Sequence, residues 1–189
     1  EGRGPDLKMV ELMTRDCFCP VTVGGGVRSV SDVQDLLKAG ADKVAVKTAA
    51  YKRPHFVEEL TARFGGQAIV VALDVEMHVD DYTLDVSWFW SPEDAAKAFE
   101  LCGAGELLLT YKWGEGSMAG YELDLVSRVS EAVRIPVIAH GGCSGYEDMY
   151  NAIQAGASAV AAGALFQFTD CTPRGAADYL SERGIEVRR

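Results

Sequence analysis

Apolar positions along the chain alternate between two kinds of run. Six short stretches, at 21–23, 43–47, 68–74, 106–111, 136–140 and 159–164, are mostly continuously apolar. That is how strands of a parallel sheet covered on both faces read. Between them apolar residues recur at helical spacing: Val33, Leu36 and Leu37; then Leu123, Val126, Val129 and Val133; then Met149, Tyr150 and Ile153. A further helix is expected over 6–15, ahead of the first strand. One segment breaks the rhythm. Residues 77–90 combine Asp80 and Asp81 with aromatic and alternating β-forming residues, which predicts a hairpin or extended loop after the third strand. Ser91-Pro92-Glu93-Asp94 then marks a helix start, with Ser as N-cap, Pro at the first helical position and acids in the first turn. Strands alternating with helices predict an α/β fold with a parallel sheet.

The pattern also repeats. Residues 21–45 align without a gap on 137–161, at a constant offset of 116. Gly25 falls on Gly141, Gly26 on Gly142, Asp32 on Asp148, and Ala39-Gly40-Ala41 on Ala155-Gly156-Ala157. The repeated unit is strand, glycine turn, helix, Ala-Gly-Ala, strand. Its period is too long for a solenoid and suits a half-barrel duplicated to close a ring. Two strands separate the repeated pairs, so two equivalents are expected before residue 1. The chain therefore reads as strands three to eight of a (β/α)8 TIM barrel, in one domain spanning 1–189 that lacks the first two strands. Six strands alone leave two unpaired edges, met either by an N-terminal quarter outside this sequence or by self-association with another copy.

Composition narrows the function. The 189 residues fall short of the ~250 typical of a whole barrel, and 48% hydrophobic with 24% charged residues is ordinary for a soluble domain. A net charge of −10 argues against nucleic acid as a partner. It leaves room for a small phosphorylated ligand, because backbone N–H groups in glycine turns and at helix N-termini hold phosphate in an acidic protein. No apolar run approaches the ~18 residues of a membrane span, and the polar opening residues do not read as a signal peptide. Five scattered cysteines suit a reducing cytoplasm better than a disulfide framework. Cys17-Phe18-Cys19 has no neighbouring His or second Cys pair, so idle thiols are expected there rather than a metal.

Ligands of such barrels bind at the carboxyl ends of the strands, and several of those ends are unusual. Gly24-Gly25-Gly26 and Gly141-Gly142 end strands where only glycine lets backbone amides come close to a ligand. Thr48 and Gly163-Ala164 end the partner strands. Two symmetric anion sites suit a substrate with two phosphates; the alternative is that these glycines only make tight turns. Asp74 closes the most apolar strand, where desolvation would raise its pKa and suit it to proton transfer, or else it braces a loop. Glu115, in the loop after Tyr111, is a second acid–base group, a substrate anchor or merely an exposed acid. His140 ends a strand beside the second glycine turn, with loop packing as its expected role. His55 and His78 carry no partner pattern.

At several motifs the chain resembles the cyclase subunit of imidazole glycerol phosphate synthase. These are Pro20 to Arg28, Ala39 to Val44, Phe64 to Asp74, Gly103 to Thr110, Pro136 to Gly142 and Tyr179 to Gly184. The resemblance implies a lyase-type cyclase that receives ammonia from a glutaminase partner. The ammonia passes through the barrel to a bisphosphorylated ribulosyl aminoimidazole substrate, and two aspartates act as acid and base without metal or organic cofactor. Asp74 matches the aspartate of the fifth strand. Gly26 and Thr48 match one phosphate site, and Gly142, Gly163 and Ala164 the other. Lys43 and Glu106 match members of the charged gate where ammonia enters, and Asp42 a position facing the glutaminase.

The resemblance has departures. The other aspartate belongs to the family's first strand, which this chain lacks. The loop after the sixth strand reads Trp113-Gly114-Glu115-Gly116-Ser117, with Glu115 in place of the active-site Asp. Lys47 replaces an Asn at the first phosphate site and is counted among its ligands. Ser87-Trp88-Phe89-Trp90-Ser91 replaces a Gly-Lys-Lys-rich segment. Two alternatives therefore stand beside the cyclase: a cyclase-like subunit of a glutamine-dependent sugar-amination system, and a non-catalytic phosphate-binding barrel fragment.

Overall fold

The computed structural model describes residues 4–78, 81–85 and 90–187. Helix α1 (Leu7–Thr14) comes first, with the Asp6 carboxylate accepting from the Met9 N–H at 3.1 Å as its N-cap. Strand β1 (Thr22–Gly24), helix α2 (Val30–Lys38), strand β2 (Lys43–Val46) and helices α3 (Thr48–Lys52) and α4 (His55–Phe64) follow. Strand β3 (Ile69–His78) turns back into β4 (Asp81–Leu84), and helix α5 (Pro92–Leu101) leads to β5 (Glu106–Tyr111). The chain continues through α6 (Leu123–Ala132), β6 (Val137–His140), α7 (Tyr146–Gln154), β7 (Ala159–Ala161), α8 (Ala164–Phe168) and α9 (Pro173–Glu182). No described helix is long and apolar enough to cross a membrane.

Six strands pair in parallel in the order β1-β2-β3-β5-β6-β7, with β4 antiparallel on β3. They make a curled α/β half-barrel whose two faces differ. Val44, Val46, Ile69, Val71, Leu73, Leu107, Leu109, Val137 and Ala139 are each at most 1% exposed. They meet the helices through Leu36, Phe56, Leu60, Phe99 and Leu125. Side chains alternate across a strand, so Ala45, Val70, Ala72, Leu108 and Ile138 lie on the other face, which is concave and lines a cavity. The runs look continuously apolar in sequence because both faces are apolar, although only one is covered by helices.

The repeat is carried into the backbone. Thr22 pairs with Lys43 and Gly24 with Ala45; 116 residues on, Ile138 pairs with Ala159 and His140 with Ala161 in the same register. Asp32 accepts from the N–H groups of Arg28 (2.8 Å) and Ser29 (2.9 Å), and Asp148 from the Ser144 N–H (2.8 Å). The correspondence reaches further back than the sequence alignment. Helix α1 starts at Leu7 and α6 at Leu123, the same offset. A Cβ on Gly40 would meet the Thr14 side chain of α1, and one on Gly156 the Ser130 side chain of α6. Each Ala-Gly-Ala turn is thus small because a helix side chain lies against it.

Most expected elements form, with shifted bounds. The helix expected over 6–15 spans Leu7–Thr14, and Ser91 caps α5 by accepting from the Asp94 N–H at 3.1 Å. The strands expected to reach Lys47 and Ala164 stop at Val46 and Ala161, because Lys47 and Gly163 become the N-cap residues of α3 and α8. Thr48 and Ala164 therefore begin helices rather than end strands. The third strand runs past Asp74 to His78 because β4 continues its ladder, pairing Leu84 with Val75 and Asp81 with His78. This is the expected hairpin. Arg128 of α6 fixes it, donating to Asp81 (3.0 Å) and Glu93 (2.5 Å) with its guanidinium 5.2 Å from the Tyr82 ring. Ser87, Trp88 and Phe89 lie outside the described residues.

The cap on α2 sets a pH dependence. Burial favours the neutral form of Asp32, but hydrogen bonds from the Arg28 and Ser29 backbone and the Ser29 side chain outweigh it and hold its pKa below the ordinary value. A carboxylate with a depressed folded pKa contributes stability that is complete above its unfolded value of about 3.9 and is lost as pH falls through the folded value. Asp32→Asn should therefore cost roughly 0.5 kcal/mol at neutral pH, the usual worth of a solvent-screened negative charge in the first turn of a helix. Its penalty should shrink in urea unfolding at progressively lower pH, whereas a pH-independent penalty would contradict the assignment.

Candidate active site

The concave face is layered along the strands. At their amino ends Lys43 and Glu106, on β2 and β5, form an ion pair that passes over β3. Beside them the Asp42 carboxylate accepts from the Val21 N–H at 2.7 Å. Ala45, Val70, Ala72 and Leu108 make the apolar middle. At the carboxyl ends stand Lys47, Asp74, Thr110 and His140, with Asp74 paired to Thr110 and Thr110 to His140 across the ladder. Thr110 is buried, and its hydroxyl lies 3.2 Å from His140 Nδ1.

A cavity of about 1180 Å³ opens on this face. It is lined by Gly24, Gly25, Gly26, Lys47, Thr48 and Asp74, and also by Ala161 of β7. The two glycine-ended strand pairs are at opposite ends of the strand order, and the curl of the sheet brings β1 and β7 to one space. Three further cations, Arg28, Lys52 and Arg53, line the same cavity against a single acid among the described residues, Asp74. In a chain of net charge −10 this is a local reversal of sign that favours an anion. The residues expected to hold the first phosphate, Gly26, Lys47 and Thr48, line this one cavity. Residues 28, 52 and 53 were not singled out from sequence, because isolated surface-type cations carry no spacing signal.

A second, smaller cavity of about 290 Å³ gathers Gly142, Gly163 and Ala164 with Glu115 and His140. Glu115 Oε1 lies 3.9 Å from His140 Nδ1. The two acids expected to share the chemistry thus line different cavities: Asp74 the larger, Glu115 the smaller. The glycines also differ between halves. A Cβ on Gly25 would meet nothing within 4 Å, whereas one on Gly141 would stand 2.5 Å from the Tyr111 carbonyl oxygen and one on Gly142 2.0 Å from that of Gly120. Backbone packing alone requires glycine at 141 and 142. At Gly25 the space is open.

One expectation is corrected here. Asp74 was expected as a lone carboxylate in apolar surroundings. It instead accepts a 2.6 Å charge-assisted hydrogen bond from Lys47 Nζ. Lys47 was expected to present its charge to phosphate, and its Nζ is engaged by Asp74 and, at 3.1 Å, by Asp85. The hairpin supplies that second acid, since the Asp85 N–H donates to the Asp74 carbonyl at 2.9 Å. Lys112 extends the cluster, pairing with Glu76 and lying 3.6 Å from Asp85. Burial disfavours the charged form of Lys47, but Asp74 and then Asp85 outweigh it and raise its pKa above the ordinary lysine value. Below them the buried Tyr51 hydroxyl is pushed well up, by burial first and by the two carboxylates second. No group of three or more metal-ligating side chains occurs among the described residues, and His55, apart from the site, faces Glu58 at 3.0 Å.

Comparison with known proteins covers nearly the whole chain. Residues 1–172 match the family described as "Histidine biosynthesis protein". The imidazole glycerol phosphate synthase subunit HisF of Pyrobaculum aerophilum is 44% identical over 193 residues, covering all of this chain and 76% of the relative. Its counterpart from Natranaerobius thermophilus is 39% identical over 194 residues, covering all of this chain and 77% of that protein.

Proposed function

The chain belongs to the histidine biosynthesis protein family, alongside the HisF subunits of imidazole glycerol phosphate synthase, and on that premise we propose how it acts as the cyclase subunit of such an enzyme. The substrate is a bisphosphorylated ribulosyl aminoimidazole, cleaved and cyclised in the cytoplasm with ammonia delivered by a glutaminase partner. The six parallel strands stand for strands three to eight of a (β/α)8 barrel, and residues 1–189 for a single domain of it.

The observation that carries this reading is the layering of one concave face. The Lys43–Glu106 pair and Asp42 lie at the end where a glutaminase docks and ammonia enters. The apolar middle, with Ala45, Val70, Ala72 and Leu108, gives neutral ammonia a path that a charged ammonium ion would find costly. Asp74 waits at the far end as a proton-transfer group, within reach of a substrate lying along the cavity. Gly26, Lys47 and Thr48 hold one phosphate, and Gly142, Gly163 and Ala164 the other through backbone amides. Glu115, beside His140, serves the second half of the substrate as an acid–base group or anchor.

The test supplies the bisphosphate substrate to the full-length protein with ammonium in place of the glutaminase, and follows the imidazole product. Turnover that rises with the free-ammonia fraction is expected. A folded full-length protein with no turnover at saturating ammonia would overturn the reading.

A further inference from the structure

The cluster around Lys47 is more than either role assigned to it. Lys47 occupies the place of Gly163, 116 residues on, where an N-cap residue of neighbouring backbone angles (φ −111°, ψ −67°, against −130° and −91° at Lys47) precedes another five-residue helix. The backbone at this position has no need of a long side chain, since its twin has none. The lysine is nonetheless held by two carboxylates, and Asp85 is the more enclosed, with a side chain 13% exposed against 21% for Asp74. The second Asp85 oxygen is buried without a hydrogen-bond partner among the described residues. The Lys47 side chain is 33% exposed and lines the same cavity as the Gly24–Gly26 turn.

Parallel register explains the shared reach. Gly24 pairs with Ala45 and Ala45 with Val70, so the lysine two residues past Ala45 starts between the glycine turn on one side and Asp74 on the other. A flexible four-carbon stem ending in three donors serves both directions.

We propose that one ammonium, that of Lys47, is shared between Asp74 and a phosphate seated at the Gly24–Gly26 turn, so that phosphate binding and the freedom of the Asp74 carboxylate are coupled. Asp85 is the fixed anchor that keeps the ammonium at the junction as the phosphate draws it from Asp74. The ligand class is a phosphate monoester, and Lys47 is a phosphate ligand that also positions Asp74. Coupling of this kind is reciprocal: whatever loosens Asp74 from Lys47 strengthens phosphate binding, and phosphate loosens Asp74. The inference rests on the phosphate-site reading above and adds to it a link between that site and the acid.

A double-mutant cycle on the full chain tests it, using inorganic phosphate followed at the amide signals of Gly25 and Gly26 by NMR. With Lys47 present, Asp74→Asn should tighten phosphate binding about fivefold or more. In a Lys47→Met background the same change should alter affinity by less than about twofold. Lys47→Gly, copying the residue of the second half, serves as the background if Lys47→Met does not fold, and Lys47→Arg should restore the coupling in part. Equal effects of Asp74→Asn in both backgrounds would show plain charge repulsion and overturn the coupling while leaving the phosphate site intact. No phosphate-dependent shift at Gly25 and Gly26 would overturn both.

Discussion

On the proton-transfer role proposed for Asp74, Asp74→Asn should lower turnover by about 10²- to 10⁴-fold. The fold and phosphate binding should survive. Asn keeps the shape of Asp, and the apolar strand behind it, with Leu73 and Val75 fully buried, is untouched. What changes is the charge facing Lys47 Nζ at 2.6 Å and the ability to carry a proton. The measurement is kcat at saturating ammonia beside a thermal melt of the same sample. A loss of less than about tenfold with the melt unchanged would remove Asp74 from the proton-transfer step.

The second large effect concerns stability, at two positions that sequence treats as equivalent. Gly25 and Gly141 sit 116 residues apart in matching turns with φ of +99° and +95°. Alanine at either pays the left-handed penalty of about 1–2 kcal/mol. Gly141→Ala must also displace the Tyr111 carbonyl, which belongs to the ordered end of β5 and cannot swing aside. Gly25→Ala should therefore cost about 1–2 kcal/mol, and Gly141→Ala roughly 4 kcal/mol or more, read from urea unfolding. Equal costs would mean that the crowding at Gly141 relaxes. The asymmetry has a simple source: Gly141 follows β6, which has β5 on one side and β7 on the other, whereas Gly25 follows β1, whose one partner among the described residues is β2.

Much of the architecture was legible in sequence because it depends on local rules. The Ser91-Pro92 start of α5, the helix before β1 and the hairpin after Asp74 each follow from cap, period or alternation. The repeat at offset 116 was legible because identical backbone turns demand identical small residues. The candidate site was read less completely. Asp85 was missed because its relation to Asp74 is made by the hairpin, whose antiparallel ladder folds the chain back eleven positions later; pairing Leu84 with Val75 in advance would have found it. The ion pair at Asp74 was missed because an apolar run reports what flanks a residue along its own strand and says nothing about the neighbouring strand. Lys47 comes from β2 through the register of the sheet. At 141 and 142 glycine is ambiguous in sequence, because a ligand's approach and a neighbour's carbonyl leave the same mark.

The larger cavity reaches from β1 across the sheet to β7 and the smaller lies beside β7, and those outermost strands, Thr22–Gly24 and Ala159–Ala161, are only three residues long. A molecule carrying an anion at each end would span from one rim to the other and act as a clasp on the curl. It would hold together the parts of the sheet with the fewest ladder bonds of their own, so the substrate's length would become a mechanical property of the fold as well as a chemical one.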